Sequence, residues 1–553
     1  MDSLRWPFLL YPLWATAVVA AIGSARVERQ SEREDILGLS LDDLREALQR
    51  DKWTATQVLY AYMGKALEVH DRLNCITEPI EEAFEWAAEA DEKWHKRSEK
   101  PPLYGVPFSV KANFHMRGRD CNLGLGKYSE TPMEDECTFV THLRSLGAIP
   151  FVITTVPQGL ISFACSSSVY GTTGNPHDPS RSPGGSSGGE CALLAGGGSP
   201  FGVGSDILGS LRIPAAFSGV VALKPTQARF VVNNSHGGIT GRTRLGLGFG
   251  FFTRSVEEQI QLLKEIVGTP LYTQLVPDSS RQPIDEAKVE AKGKLRIGYF
   301  VDDGFLHPVP SVARAIEEVA EKLRGEGHEM VPFHVPEAEK AMSLMLKNAM
   351  PDGGTAMRSV YAHDDVDQYM EQFVFLLQVP NWLRGLGAPF IRLFSPQFSV
   401  MSSSYISSLD DLRQSNEDTD EYRLQFIQYW KSLGLDSLVC PAFPVTAVPH
   451  TLPSQLGACG FSTGLFNLID FPAGVVPVSR VTKKDDDRLM DEGSFPTGRN
   501  IVLKKMREGC AESEGMPVGV QVVALPLEEE MCLRVMKAIE HLLPYDRTLR
   551  GKR

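Results

Sequence analysis

Residues 182–216 read SPGGSSGGECALLAGGGSPFGVGSDILGSLRIPAA, with ten glycines, six serines, three charged residues and no histidine. Glycine and serine at this density ordinarily make a flexible, solvated linker. The residues between the glycine clusters argue against that here. ECALLAGGGSPFGVG (190–204) is apolar, and SLRIPAAFSGVVALKP (210–225) continues into a chain patterned for burial. The glycines therefore belong inside a packed body, where glycine serves positive φ or lets backbone N–H groups approach a bound atom.

Outward from this run, short apolar stretches alternate with helical ones. GVPFSVKANF (105–114) and AIPFVITTV (148–156) read as strands, with DECTFVTHLRSLG (135–147) as a helix between them. Residues 295–333 repeat the pattern: LRIGYFV is a strand, Val312, Ile316, Val319 and Leu323 form a helix stripe stopped at Gly325 and Gly327, and HEMVPF is the next strand. DSLVCPAF, FPAGVVPVS and MPVGVQVVAL add strands ahead of a last helix over Leu527–Leu542. Near the start, Ser40 with Asp43 and Thr54 with Gln57 signal two capped amphipathic helices. With no internal repeat and no long linker, residues 31–553 predict one large α/β domain.

A net charge of −13 excludes nucleic acid as the main partner, because binding phosphate needs a basic surface. Nine cysteines stand singly from Cys75 to Cys532 with no CxxC pair, so neither a metal-ligand spacing nor a disulfide framework is indicated, and a cytosol-facing, reduced body is expected. Between Arg5 and Arg26, WPFLLYPLWATAVVAAIGSA (6–25) is uncharged and long enough for a membrane-spanning helix. The competing reading is a signal peptide ending in small residues. Arg26, Arg29 and Arg33 outnumber Arg5, which favours residues 1–30 as a single-pass anchor with the rest of the chain on the cytosolic side. A second apolar segment, 373–401, carries only Arg384 and Arg392 as charges. If 381–394 is helical, Trp382, Leu383, Leu386, Phe390 and Leu393 share one face, as in an interfacial cap or a core helix broken at Pro389.

Three residues carry chemistry in combination. Lys111 lies among apolar residues of a strand, where burial would make it a base, although a lysine at a strand end also commonly reaches solvent. Ser186 and Ser210 lie in glycine-rich turns, where most serines only bond backbone. Gly184, Ser186 and Gly188 match the G-x-S-x-G nucleophile elbow, but GNPHDPSRSP (174–183), with three prolines, cannot be the central strand that elbow requires. No Gly-Lys-Ser/Thr follows the glycines, so a phosphate-binding loop is excluded as well.

GGSSGGECALLAGG (184–197) followed by GVGSDILGSLRIPAAFSGVVALKPT (202–226) resembles the amidase signature, with Lys111 and Ser186 75 residues apart and Ser186 and Ser210 24 apart. The resemblance runs from about residue 40 onward and includes LYGVP (103–107), VPQ (156–158) and GMPVGVQVVALP (515–526). RSPGGSSGGE, DFPAGVVPV and the N-terminal apolar stretch make the chain most similar to membrane-bound fatty acid amide hydrolases. The resemblance implies a large mixed β-sheet covered by helices and a Ser-Ser-Lys triad of Lys111, Ser186 and Ser210, with Ser210 as nucleophile and Ser186 in a cis peptide. It implies an oxyanion cradle from the N–H groups of Ile207, Leu208, Gly209 and Ser210, and a substrate contact at Leu160. Ser187, Asp206 and Arg212 would fix these loops. It implies no cofactor and no metal. The partners implied are a fatty acid amide substrate, an endomembrane such as the endoplasmic reticulum, and a second copy of the chain. A glutamine amidase subunit of a tRNA-charging complex shares the signature, and a lipid-binding relative without turnover would share the apolar entry. Two departures stand out: Leu208 replaces the family's glycine or alanine, predicting an altered or slower acyl site, and GFFTRSVEE (250–258) replaces its Gly-Pro start, although Arg254 matches.

Overall fold

The computed structural model describes residues 30–549. The strands in chain order are β1 (Ile76–Pro79), β2 (Pro107–Lys111), β3 (Ile149–Thr154), β4 (Ser166–Ser167), β5 (Gly171–Thr172), β6 (Gly202–Asp206), β7 (Val221–Lys224), β8 (Gly248–Thr253), β9 (Arg296–Tyr299), β10 (Glu329–Pro332), β11 (Ser437–Pro441), β12 (Ala473–Arg480) and β13 (Pro517–Val523). Eleven of them form one sheet in the order β1-β3-β2-β6-β8-β7-β12-β13-β11-β9-β10, while β4 and β5 pair separately. The sheet is mixed: β2 runs parallel to β3 and β6, and β9 to β10 and β11, whereas β6, β8, β7, β12 and β13 pair antiparallel in succession. This is the α/β fold with a large mixed sheet that the sequence pattern predicts.

β2, β3, β6, β7, β8, β11 and β13 are buried along their whole length. Side chains on both faces of such strands need helices over them, and the amphipathic helices supply these. The helix Pro310–Gly325 buries the expected Val312, Ile316, Val319 and Leu323. The helix Leu41–Gln49 starts at Ser40, whose hydroxyl accepts from the Asp43 N–H, and Ala55–Leu73 starts in a complete capping box of Thr54 and Gln57. The last helix is Glu529–Leu542, two residues shorter at its start than the sequence pattern suggests, because Leu527 has a φ of 67°. At GFFTRSVEE the chain leaves β8, Arg254 donates to Leu39 O at 2.7 Å, and Ser255 with Glu258 caps the helix Val256–Ile266.

Among the described residues no helix is long and apolar enough to cross a membrane, and residues 6–25 lie outside those described. The second apolar segment forms the helices Glu371–Gln378 and Asn381–Arg392, with Pro389 inside the latter. Only Ala388 is buried in Asn381–Arg392, which rules out a core helix. Phe390 is 73% exposed, Leu386 65% and Trp382 63%, with Leu383, Leu393, Phe375 and Leu376 exposed beside them. Arg392 pairs with Glu339 at 2.8 Å, and Arg384 donates to Asn381 Oδ1.

Candidate active site

Lys111 ends β2, inside the sheet between β3 and β6, and is completely buried, so the solvent-reaching alternative is excluded. Its Nζ lies 2.9 Å from Ser186 Oγ, 3.1 Å from Ser205 Oγ and 3.4 Å from the Ser205 carbonyl. Burial pulls the amine down to about 7, against the opposing pull of Asp206, Cys165, Glu190 and Cys191. An amine at that value is partly neutral near pH 7 and has a lone pair to offer a serine hydroxyl. Asn113 Nδ2 donates to the same Ser205 Oγ at 3.2 Å and to His236 O at 2.8 Å, which fixes the Lys111 partner from the other side.

Ser186 is 3% exposed and follows a cis Gly185–Ser186 peptide bond. The preceding turn is tied down where Gly184 N–H donates to Ser182 Oγ at 3.0 Å and Ser182 Oγ in turn donates to Phe163 O. Ser187 begins the buried helix Gly188–Ala195, but its hydroxyl has no hydrogen-bond partner among the described residues and does not brace the loop there as the family resemblance implies.

Ser210 lies half-buried in the turn between β6 and the helix Arg212–Ser218. Asp206 organises that turn: Oδ1 accepts the Gly209 N–H at 2.8 Å and Oδ2 accepts the Leu211 N–H at 3.1 Å. Gly209 has a φ of 121°, open to glycine and costly for other residues. Thr463 Oγ1 donates to the Leu208 carbonyl at 2.6 Å, so the Leu208–Gly209 peptide is held at both ends. Of the four N–H groups expected to face an oxyanion, Gly209's is therefore engaged by Asp206. Those of Ile207, Leu208 and Ser210 have no acceptor among the described residues.

Arg212 completes the frame with all five of its donors. Nε and Nη2 bond the two Asp206 oxygens at 3.0 and 2.9 Å, Nη1 bonds Thr463 O at 2.9 Å and Gln521 Oε1 at 2.7 Å, and Nη2 also bonds Asn467 Oδ1 at 2.7 Å. Burial alone would raise the Asp206 carboxyl, but the guanidinium brings it down to about 2. Asn467 Nδ2 returns bonds to Asp206 O and Gly246 O. Asp206 and Arg212 thus do fix the serine turn.

Leu208 is half-buried with a negative φ, and its Cδ2 lies 3.1 Å from where a β-carbon on Gly464 would stand. The side chain expected to crowd the loop packs against Gly464 on the facing helix, Phe461–Leu468, beside Met345, whose Sδ fills most of the space that glycine leaves open. Leu160 ends the short turn Gln158–Leu160 at a φ of 66°, packed under Gly238 beside Tyr361. Sequence reasoning missed Ser205, Asn113, Thr463, Asn467 and Gln521. Ser205 lay inside the quoted run and could have been found there. Asn113 and Gln521 also lay in quoted stretches, whereas Thr463 and Asn467 sit in none; all four are brought in by strand and helix packing. Among the described residues no group of three or more His, Cys, Asp or Glu side chains is placed to hold a metal ion.

The family model for amidases matches residues 57–533. Fatty acid amide hydrolase 1 of Caenorhabditis elegans is 34% identical over 514 residues, covering 92% of this chain and 89% of that protein. Fatty-acid amide hydrolase 1 of Sus scrofa is 35% identical over 517 residues, covering 93% and 87%. A solved fatty acid amide hydrolase superposes with a TM-score of 0.78 at 23% identity, over 96% of this chain and 89% of that one. The match spans the strands and turns that carry Lys111, Ser186 and Ser210. The chain belongs to the amidase family, hydrolases of the amide bond.

Proposed function

We propose that this chain hydrolyses fatty acid amides through an acyl-enzyme on Ser210, with Lys111 as the base and Ser186 as the proton relay. The observation that carries this reading is a fully buried Lys111 whose Nζ lies 2.9 Å from Ser186 Oγ. Neutral Lys111 takes the Ser186 proton as Ser186 takes that of Ser210, and the Ser210 alkoxide attacks the amide carbon. Free N–H groups of the serine turn receive the negative charge on the carbonyl oxygen, each such donor being worth about 3 kcal/mol in the transition state. The proton on Lys111 returns through Ser186 to the departing nitrogen, so the amine leaves neutral. Water then enters by the same relay and releases the fatty acid.

The substrate class is supported by the names of the relatives and by the exposed apolar side chains on Glu371–Gln378 and Asn381–Arg392. Such a surface, rimmed by Arg384 and Arg392, suits a lipid interface from which an acyl chain can enter without crossing water. We place the protein on a membrane with its catalytic body facing the cytosol, the apolar stretch 6–25 being a second attachment. The deciding experiment is covalent labelling by an alkyl fluorophosphonate, which reports an activated serine. Wild type is expected to be labelled at Ser210, and Ser210→Ala to lose all labelling while keeping its fold. Labelling retained at Ser186 in that variant would overturn the assignment.

A further inference from the structure

Glu190 is a fully buried carboxyl that the mechanism above does not use. It projects from the first turn of Gly188–Ala195 onto the sheet beside Lys111. Its hydrogen bonds come from two hydroxyls, Ser109 Oγ to Oε2 at 2.6 Å and Thr154 Oγ1 to Oε1 at 2.7 Å. Ser109 and Lys111 are two apart on β2 and so share a face, and Thr154 is the register partner of Lys111 on β3. Gly202, opposite Ser109 on β6, leaves the space that the carboxylate fills, since a β-carbon there would overlap Glu190 Oε2. The sheet thus carries a recess of glycine, serine and threonine shaped around one carboxyl. An unneutralised buried carboxylate is costly, and a core that merely needed filling would use an apolar residue.

We propose that Glu190 is a positioning residue which sets the pH at which Lys111 becomes a base, acting as a titrating carboxyl held beside the amine without hydrogen-bonding to it. The inference rests on Lys111 being the base. The other groups facing Lys111 cannot easily play this part. Asp206, the strongest opposing pull, is held at about 2 by Arg212 and so stays charged throughout this range, while burial pushes the Cys165 and Cys191 thiols up so that they stay protonated. Around Glu190 itself stand Lys111, the neutral thiols of Cys75 and Cys191, and the two hydroxyls. Burial raises the Glu190 carboxyl to about 7, against Ser109, Thr154 and Lys111, so amine and acid titrate in the same range and each alters the other.

The test is the pH dependence of the labelling rate of the full chain by an alkyl fluorophosphonate. An anion beside an amine favours its charged form, so Glu190→Gln is expected to move the midpoint of the acid limb to lower pH by about one unit. Ser109→Ala weakens the carboxylate's hydrogen bonding and is expected to move it the same way by less, which keeps the question open to measurement if Glu190→Gln does not fold. A rate lowered equally at every pH, with the wild-type midpoint kept in whichever variants fold, would reduce Glu190 to a packing residue and overturn the proposal. Lys111→Ala separates the two levels. If the limb persists there at the wild-type midpoint, another group titrates and the Lys111 reading itself fails. If it disappears, that reading stands and the Glu190 result decides the proposal alone.

Discussion

Around Lys111 the protein hides charge, and between residues 371 and 394 it displays hydrocarbon. Lys111, Glu190, Asp206 and Arg212 are each 0% exposed, whereas Phe390, Leu393 and Leu386 are each more than 60% exposed. Both arrangements run against the hydrophobic effect, which is why buried polar groups and large exposed apolar patches are more informative than the ordinary interior and surface. They differ in how the cost is met. Arg212 and Asp206 answer each other with paired hydrogen bonds, while Lys111 lowers its charge. The exposed side chains have no such answer among the described residues.

The largest effect expected in breaking this contrast is at the lysine. Lys111→Ala should slow amide hydrolysis by about 10²–10⁴-fold. Wild type, with its amine near 7, should gain activity as pH rises through that value and then level off; the variant should keep climbing into the alkaline range, where hydroxide replaces the base. Ester hydrolysis should suffer less, since an alkoxide leaves without needing a proton. A steady-state pH profile on both substrate types checks this.

Next comes the answered charge. Arg212→Met leaves Asp206 buried and uncompensated, and chemical denaturation should show a loss of about 3–5 kcal/mol. The sign in pH follows from the Asp206 carboxyl, held at about 2 when folded against about 3.9 unfolded. Its contribution is fully present above about 4 and is lost as pH falls through 2. The variant should lack that acid dependence.

The exposed region should behave in the opposite way. Trp382→Ala with Phe390→Ala should leave folding stability within about 0.5 kcal/mol and leave turnover of a short soluble amide unchanged. A chain lacking residues 1–29 should still float with liposomes, and the double variant of that chain should not. Smallest of all is Leu208→Gly, which removes a side chain packed over Gly464 and adds backbone freedom. A loss of about 1 kcal/mol without any gain in rate is expected, because the loop already accommodates the leucine.

Much of the layering was legible from sequence. β2, β3 and β9 to β13 follow from apolar runs bounded by turn residues, and the Ser40 and Thr54 caps were readable because capping is local. Strand order was not, since it joins β7 near residue 222 to β12 near residue 474. β6 was hidden because it lies within the glycine-rich run, where close backbone approach rather than side-chain bulk makes the strand. The candidates Lys111, Ser186 and Ser210 were legible through spacing and resemblance, and the structure puts the first two in contact. The frame holding the serine turn was less so: Thr463 and Asn467 carry no motif, Gln521 is a single polar residue within GMPVGVQVVALP, and all three become partners of Arg212 only after the sheet has closed.

The nine cysteines, all buried and unpaired, have a practical consequence. Burial raises the Cys137 thiol to about 12 and pushes the Cys75 and Cys532 thiols well above the usual thiol range, so the native protein offers alkylating reagents almost no thiolate. Each thiol therefore reacts only when its surroundings open. Since they are distributed from position 75 to position 532 over helices, turns and one strand, the order in which maleimide modifies them under mild denaturant amounts to a built-in chart of which parts of the fold loosen first, readable by mass spectrometry without introducing a single probe.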